Sequence, residues 1–201
     1  MADLVEGQPY YRYREALRGI LSLKPKAADL LIGIDGFSGA GKSTLSRTLA
    51  HLDKRAVIIQ MDDFYRPMPE DEGLSLSPAQ GFERYYDWQR VREQVLAPLS
   101  QSRREISYQS YDWPSRTLGR WERFQSSGVV VVEGTYSTRP ELRDFYDYRI
   151  FVATPDDVRR ARMAARNQNP SVWREKWLAV NAFYNEREQP RNFADLVIAG
   201  E

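Results

Sequence analysis

The sequence contains the octapeptide Gly36-Phe37-Ser38-Gly39-Ala40-Gly41-Lys42-Ser43, which fits the pattern G-x-x-x-x-G-K-[ST] at every fixed position. Glycines allow the backbone to adopt positive φ angles and to turn its N–H groups inward around a phosphate. Lys42 would neutralise β- and γ-phosphate oxygens, and the Ser43 hydroxyl would be a ligand of Mg²⁺. The pattern predicts a phosphate-binding loop, whose contacting residues we expect to be Gly36, Ser38, Gly39, Ala40, Gly41, Lys42, Ser43 and Thr44.

The residues on both sides of the octapeptide support this prediction. The apolar run Leu30–Ile34 precedes it, and the segment Thr44–His51 that follows has an amphipathic helical pattern. A helix that begins at the loop would direct the positive end of its dipole to the bound anion. The local order is therefore strand, loop and helix.

Further apolar runs, rich in Val and Ile and without polar alternation, recur along the chain. Such runs are typical of strands that are buried on both faces of a parallel sheet. They are Ala56–Ile59, Val129–Val132, Ile150–Ala153 and Leu196–Ala199. Helical patterns occupy Pro9–Leu23, Trp88–Leu99, Pro155–Arg166 and Trp173–Glu188.

This alternation of strands and helices predicts an α/β fold in three layers, with a mainly parallel central sheet and helices on both faces. Turn-forming and acidic residues in Arg66–Ser77 predict an exposed loop, and weak alternation in Glu105–Tyr111 indicates part of a small hairpin. With 201 residues and no linker-like segment, we expect a single domain over residues 1–201.

The composition excludes several classes of function. The 29 Lys and Arg residues against 28 Asp and Glu residues give a net charge of +1, which does not indicate a nucleic-acid partner. The absence of Cys excludes disulfides, thiolate metal sites and a cysteine nucleophile. No apolar stretch is long enough to span a membrane, and the N-terminus has no signal-peptide pattern. We expect a cytoplasmic protein that acts on a small molecule.

Carboxylates follow two of the predicted strands. Glu133 directly follows the run Val129–Val132. In folds with a phosphate loop, an acid at the end of a neighbouring strand holds the metal ion. The alternative is an ordinary exposed turn after the strand. Asp62 and Asp63 follow Ala56–Ile59 at the sheet edge where ligands collect. One of these two acids would contact an acceptor hydroxyl or the metal, and the other would be structural.

The chain resembles the uridine kinase-like group of P-loop kinases, which includes nicotinamide riboside kinases and, more distantly, phosphoribulokinases and pantothenate kinases. The resemblance extends from about Leu30 to Ile198 and rests on the phosphate loop and on four short segments. These are Asp62-Asp63-Phe64-Tyr65, Tyr86-Asp87-Trp88, Tyr111-Asp112-Trp113 and Glu133-Gly134. It implies a P-loop NTPase fold and an ATP- and Mg²⁺-dependent kinase.

The resemblance also implies roles for individual residues. Asp62 would be the catalytic base and Asp87 would bind sugar hydroxyls, although Asp87 is also a good helix N-cap. Tyr111 would line the acceptor pocket, and Arg162 and Arg166 would belong to a lid over about residues 159–172 that closes on the transferred phosphate. Metal ligands would be Ser43, Glu133 and Asp62. Acceptor contacts would come from Asp62, Tyr65, Asp87, Tyr111 and Glu133.

Some residues depart from the family's pattern. Uridine kinases usually have a histidine shortly after the Tyr-Asp-Phe segment that contacts the base, whereas residues 111–116 here contain none. Asn167 replaces the family's Asp in the lid. The sequence therefore leaves three classes of acceptor: a nucleoside or riboside, a sugar, and a pantothenate-like alcohol. A nucleotide-dependent switch, which is not an enzyme of this kind, is the alternative function. Aromatic residues would either stack on an acceptor ring or pack in the core. The segments rich in Tyr and Trp are also compatible with the interface of a homo-oligomer.

Overall fold

A computed structural model describes residues 3–166 and 171–200 of the chain. Its centre is a five-stranded sheet, in which all strands are parallel and follow the order β2-β5-β1-β6-β7. The strands are β1 (Leu30–Asp35), β2 (Ala56–Gln60), β5 (Val129–Glu133), β6 (Tyr148–Ala153) and β7 (Leu196–Ala199). All the predicted strands are thereby confirmed. β3 (Glu105–Asp112) and β4 (Thr117–Gln125) form a separate antiparallel hairpin, as expected from Glu105–Tyr111.

Helices occupy the segments between the strands, in agreement with the predicted alternation. They are α1 (Arg14–Leu21), α2 (Lys42–Leu52), α3 (Glu70–Ser75), α4 (Pro78–Arg84), α5 (Trp88–Arg90), α6 (Ala97–Ser100), α7 (Pro140–Arg143), α8 (Asp156–Arg166) and α9 (Ser171–Glu188). A π-helical stretch, Val91–Leu96, joins α5 and α6 into one continuous helical segment over residues 88–100.

The sheet is covered on both faces because neighbouring side chains of each strand point to opposite sides. On one face, Ile32 and Ile34 of β1 pack in a cluster with Leu45 and Leu49 of α2. On the other face, Leu31 belongs to a second buried cluster, whose helical members are Val91, Val95, Leu96, Leu99 and Leu142. This is the three-layer α/β architecture that the sequence predicts.

The prediction of an exposed loop over Arg66–Ser77 is wrong in its middle part, where α3 forms. Three acidic residues in the first turn of α3 stabilise the helix, because their negative charges lie near the positive end of the helix dipole. Gly73 lies so close to Trp173 of α9 that a Cβ atom would come within 2.7 Å of the indole ring. The Tyr85 hydroxyl also donates a hydrogen bond to the Gly73 carbonyl, at 2.8 Å. Tertiary packing therefore stabilises a helix that the local sequence does not reveal.

The register of the sheet brings three strand ends to one edge. Glu133, the last residue of β5, pairs with Ile34 of β1 on one side and with Gln60 of β2 on the other. The phosphate-loop octapeptide follows β1, and Asp62 lies just beyond β2. Because these strands are parallel, the chemically important residues after each of them lie at the same edge.

Among the residues that the structure describes, no helix combines the length and the apolar character needed to cross a membrane.

Candidate active site

The phosphate loop needs its glycines both for conformation and for space. Gly36, Gly39 and Gly41 have φ angles of 145°, 78° and 103°, which residues other than glycine rarely adopt. A Cβ atom on Gly36 would lie 2.5 Å from the carbonyl oxygen of Val152. The loop therefore tolerates no side chain at Gly36, because the end of β6 packs directly against it.

Lys42 lies within the curve of the loop. Its Nζ atom donates hydrogen bonds to the carbonyl oxygens of Gly36 at 2.9 Å and Phe37 at 3.0 Å, and it lies 3.4 Å from Thr135 Oγ1. The side chain is buried, with 8% relative exposure. A positive charge is thus fixed beside the loop, where it can neutralise a bound phosphate.

Two arginines of α8 contact the backbone of the loop. Arg159 donates to the Ser38 carbonyl at 3.3 Å, and its guanidinium lies 4.2 Å from the centre of the Phe37 ring. Arg159 is buried and also pairs with Asp156. Arg162 makes a longer contact of 3.5 Å with the Gly39 carbonyl. Both arginines therefore contact backbone carbonyl groups of the loop.

A cavity of about 520 Å³ opens beside the loop. It is bounded by the phosphate loop, the ends of β2 and β5, the hairpin and two helices, α8 and α9. Its lining residues are Ser38, Gly39, Ala40, Gly41, Lys42, Ser43, Gln60, Asp62, Tyr86, Trp113, Glu133, Gly134, Thr135, Tyr136, Met163, Arg174, Trp177 and Asn181.

Glu133 is the buried acid of the cavity, with 4% relative exposure. Burial raises its pKa above the usual range, and the positive charge of Lys42 and a hydrogen bond from Ser43 offset part of this rise. The contact brings the Ser43 hydroxyl and the Glu133 carboxylate together. Both are the hard oxygen donors that Mg²⁺ prefers.

The two adjacent aspartates point into different surroundings. Asp62 is exposed, lines the cavity, and accepts a hydrogen bond from the Tyr86 hydroxyl at 2.9 Å. Asp63 accepts one from the Tyr108 hydroxyl of β3, also at 2.9 Å, and burial raises the pKa of its carboxyl group. Asp62 therefore adjoins the space for ligands, whereas Asp63 joins the Met61–Phe64 turn to the hairpin.

Aromatic rings form part of the cavity wall. Trp113, with 41% relative exposure, contacts Trp177 edge-on with ring centres 6.1 Å apart. Behind Trp113 lie the buried rings of Tyr65, at 4.9 Å, and Tyr111, at 5.0 Å. The indoles can contact a ligand, while the two tyrosines support Trp113 from the protein side.

One face of α9 completes the cavity. Arg174, Trp177 and Asn181 follow one another at the spacing of a single helical face. Asn181 is buried; its Nδ2 donates to Ser38 Oγ at 2.8 Å, and its Oδ1 accepts from the Tyr136 hydroxyl at 3.0 Å. The helix is thereby joined to the phosphate loop by side-chain hydrogen bonds.

Comparison with known proteins identifies relatives of this chain. A family model described as "AAA domain" matches residues 32–189. A uridine kinase of Leuconostoc citreum (strain KM20) is 30% identical over 158 residues, which cover 73% of this chain and 70% of that protein. One of Streptococcus pneumoniae (strain Hungary19A-6) is 29% identical over 183 residues, 84% of each chain. The chain belongs to the uridine kinase-like family of P-loop kinases.

Solved structures of this family and its neighbours share the fold. A possible uridine kinase from Bacillus stearothermophilus superposes with a TM-score of 0.71 at 22% identity, over 93% of this chain and 97% of that one. The phosphoribulokinase from Rhodobacter spheroides gives a TM-score of 0.62 at 14% identity, over 87% of this chain and 71% of that one. The chain therefore has the P-loop NTPase fold that its sequence predicts, and its uridine kinase relatives identify it as an ATP-dependent small-molecule kinase.

The kinase cavity brings together most of the residues that the sequence selected. Ser38 to Ser43, Asp62 and Glu133 line it. Gly36, the first residue of the loop, and Thr44, which follows the loop, do not line the cavity. Tyr65 and Tyr111 lie behind Trp113. Arg166 ends α8, and its side chain lies outside the described residues, as do residues 167–170 of the predicted lid.

Asp87 occupies the position of a helix cap. It accepts from the backbone N–H of Arg90 at 3.3 Å and lies 3.5 Å from the guanidinium of Arg66. It is not among the lining residues of the cavity. Its role in binding sugar hydroxyls therefore stays a prediction.

Sequence reasoning missed Tyr86, Arg174, Trp177 and Asn181 as parts of the site. The signal for the last three was their shared face on the predicted helix Trp173–Glu188. That face could not be assigned to the cavity from the sequence, because nothing in a helical pattern shows which neighbour the helix packs against.

Proposed function

We propose that this kinase transfers the γ-phosphate of Mg²⁺·ATP to a hydroxyl group of a nucleoside or riboside. The observation that carries the proposal is that one cavity contains the phosphate loop, the acids Asp62 and Glu133, and an aromatic wall. A phosphate donor would occupy the loop side, and a planar acceptor ring would stack on the indoles of Trp113 and Trp177. Asp62, which lines the same cavity, would lie between them.

Asp62 would act as the general base. Its carboxylate would accept the proton of the attacking hydroxyl, and the hydrogen bond from Tyr86 would hold it in position. Lys42 would stabilise the charge that develops on the phosphoryl oxygens. Arg162 and Arg166, in a lid over about residues 159–172, would add positive charge when the lid closes.

The oxygen donors at the loop suit a magnesium ion. Ser43 and Glu133 would hold it together with the nucleotide phosphates, and Asp62, which lines the same cavity, would be a further ligand. When bound, Mg²⁺ would neutralise phosphate oxygens and orient the leaving group. Burial of Glu133 favours this interpretation, because a buried carboxylate gains most from a cation beside it.

Steady-state assays with a panel of acceptors test the proposal. ADP release from ATP would be measured with Mg²⁺ in the presence of nucleosides, nicotinamide riboside, sugars and pantothenate-like alcohols. Strong stimulation by a riboside is the expected result. Stimulation by a sugar or a pantothenate-like alcohol alone would replace the proposed acceptor class, and ATP binding without stimulation by any member would favour a nucleotide-dependent switch.

A pair of variants tests the assignment of the base. Asp62→Asn should lower kcat by about 100- to 10,000-fold while ATP affinity stays near that of the wild type, because a general base contributes about that much. Asp63→Asn is the matched control, since it changes the neighbouring acid outside the cavity, and it should retain activity. Retained turnover in Asp62→Asn together with loss in Asp63→Asn would assign the base to Asp63.

A further inference from the structure

We propose that the N-terminal segment, residues 3–21, is part of the nucleotide site, with Tyr10 as a positioning residue for the peptide between Gly41 and Lys42. This segment lies before residue 32, where the match to the family model begins. The proposal rests on the nucleotide-binding role of the loop and is independent of the acceptor.

The contact is direct, and the tyrosine that makes it is buried. The Tyr10 hydroxyl donates a hydrogen bond to the Gly41 carbonyl oxygen at 2.9 Å, and Tyr10 has 0% relative exposure. The same carbonyl accepts from the backbone N–H groups of Thr44 and Leu45, at 3.1 and 3.0 Å, in the first turn of α2. Tyr10 is thus hydrogen-bonded to the last residue before α2, where the phosphate loop continues into the helix.

A fixed carbonyl also fixes the N–H group of the next residue, because the peptide unit is planar. The Gly41 carbonyl and the Lys42 N–H belong to one such unit. The first N–H groups of a helix have no acceptor within the helix, and in phosphate loops they donate to the anion. Tyr10 therefore orients a phosphate donor without itself contacting the phosphate.

The loop needs such support because its glycines leave the backbone unusually free. If a loop loses conformational freedom when it binds a ligand, the entropy cost lowers the affinity. A loop that is already held in its binding conformation avoids this cost. The preceding peptide is held in the same way, since Thr154 Oγ1 donates to the Ala40 carbonyl at 2.8 Å. Two consecutive peptides of the loop are thus held by hydrogen bonds, one from Thr154, which follows β6, and one from the N-terminal segment.

Tyr10 is itself firmly placed. Its φ angle of 62° lies in the left-handed region, which bulky residues adopt only where the surrounding structure holds them. Leu4, Leu17 and Ile20 anchor the segment in the cluster that contains α2. The Tyr13 hydroxyl accepts a hydrogen bond from the backbone N–H of Ala199, at 2.9 Å, and so ties the segment to β7.

The test compares Tyr10→Phe with Tyr13→Phe in the full chain. Each variant loses one hydroxyl group of the same segment and keeps the aromatic ring. Tyr10→Phe should raise the KM for ATP and the Kd for ADP by about three- to tenfold, the loss expected for one hydrogen bond, with the acceptor KM unchanged. Tyr13→Phe should leave both nucleotide constants at the wild-type values.

The ADP titration needs no acceptor, so its result does not depend on the proposed riboside substrate. It would be made at a temperature well below the melting midpoints of all variants, so that a loss of stability cannot imitate a loss of affinity. Equal ADP affinities of Tyr10→Phe and Tyr13→Phe would overturn the proposal. An equal rise of the ATP and acceptor KM values in Tyr10→Phe would also overturn it, because it would show a general disturbance of the site.

Discussion

At the scale of single residues, the pair Asp62 and Asp63 shows how a turn separates two identical side chains. The short Met61–Phe64 turn directs Asp62 to the cavity and Asp63 to Tyr108 of the hairpin. The sequence predicted that one acid would be functional and the other structural, and the resemblance selected Asp62. The surroundings of the two carboxylates support the same division.

The raised pKa of Asp63 leads to a prediction about stability. The folded protein binds this proton more tightly than the unfolded chain does, so wild-type stability falls as the pH rises from the unfolded value of 3.8 through the folded pKa. Asp63→Asn lacks this loss, and its amide oxygen can still accept from Tyr108. Relative to wild type, its free energy of unfolding should therefore increase with pH over this range and stay level at neutral pH.

Urea unfolding at several pH values measures this difference. Glu105→Gln is the control, since Glu105 is exposed at the start of β3 and its replacement also removes one negative charge. A difference between Asp63→Asn and wild type that does not change with pH, or that shrinks as the pH rises, would contradict the prediction.

At the scale of elements, α9 is joined to the end of β1 through a buried carboxylate. Asp35 has 0% relative exposure and accepts hydrogen bonds from the Tyr184 hydroxyl at 2.7 Å and from Thr138 Oγ1 at 2.8 Å. The backbone N–H groups of Gly36 and Thr138 also donate to it, at 2.7 and 3.0 Å. The start of the phosphate loop and the helix that lines the cavity therefore share one acceptor.

Two tyrosines test the strength of this link. Tyr184→Phe should lower the free energy of unfolding by about 1.5–3 kcal/mol, the range for a hydrogen bond to a charged group. Tyr146→Phe should lower it by about 0.5–1.5 kcal/mol, because the buried Tyr146 hydroxyl donates to a neutral carbonyl, that of Ser137, at 2.8 Å. Chemical denaturation would measure both free energies of unfolding. A loss in Tyr184→Phe equal to or smaller than the loss in Tyr146→Phe would contradict a stabilising role of the hydrogen bond to Asp35.

The elements also show where sequence reasoning succeeds and fails. β1 and β5 were predictable because their residues are apolar on both faces, and α2 because a recognisable loop precedes it. α3 was not predictable, since Gly73 and the turn-forming residues around it fit a loop until Trp173 packs against them. The same limit applies to Arg174 and Asn181, whose importance depends on a neighbour far away in the chain.

At the scale of the whole molecule, nucleotide binding should stabilise the fold, because ADP binds the folded phosphate loop and not the unfolded chain. At an ADP concentration 100 times the Kd, the free energy of unfolding should rise by about 2.7 kcal/mol. Lys42→Ala should show a much smaller rise at the same concentration, since it removes the charge and the contacts with Gly36 and Phe37. Thermal unfolding with and without ADP measures both effects.

Lys54→Ala is the control for this experiment. Lys54 is exposed just after α2, and its replacement removes one positive charge at a distance from the cavity lining. It should keep the full rise with ADP. The role of the phosphate loop in this chain would have to be rejected if Lys42→Ala were stabilised as strongly as Lys54→Ala.

The order of the strands has a consequence for how the chain is made on the ribosome. The central strand β1 is synthesised early, but its partners are β5 and β6, and Val129, the partner of Leu30, follows it by roughly a hundred residues. Pairings between such distant segments form slowly, and unpaired strand edges are prone to aggregation in the meantime. The phosphate loop therefore leaves the ribosome long before the strands that support it, and the nascent chain acquires its nucleotide site only after its second half has been translated.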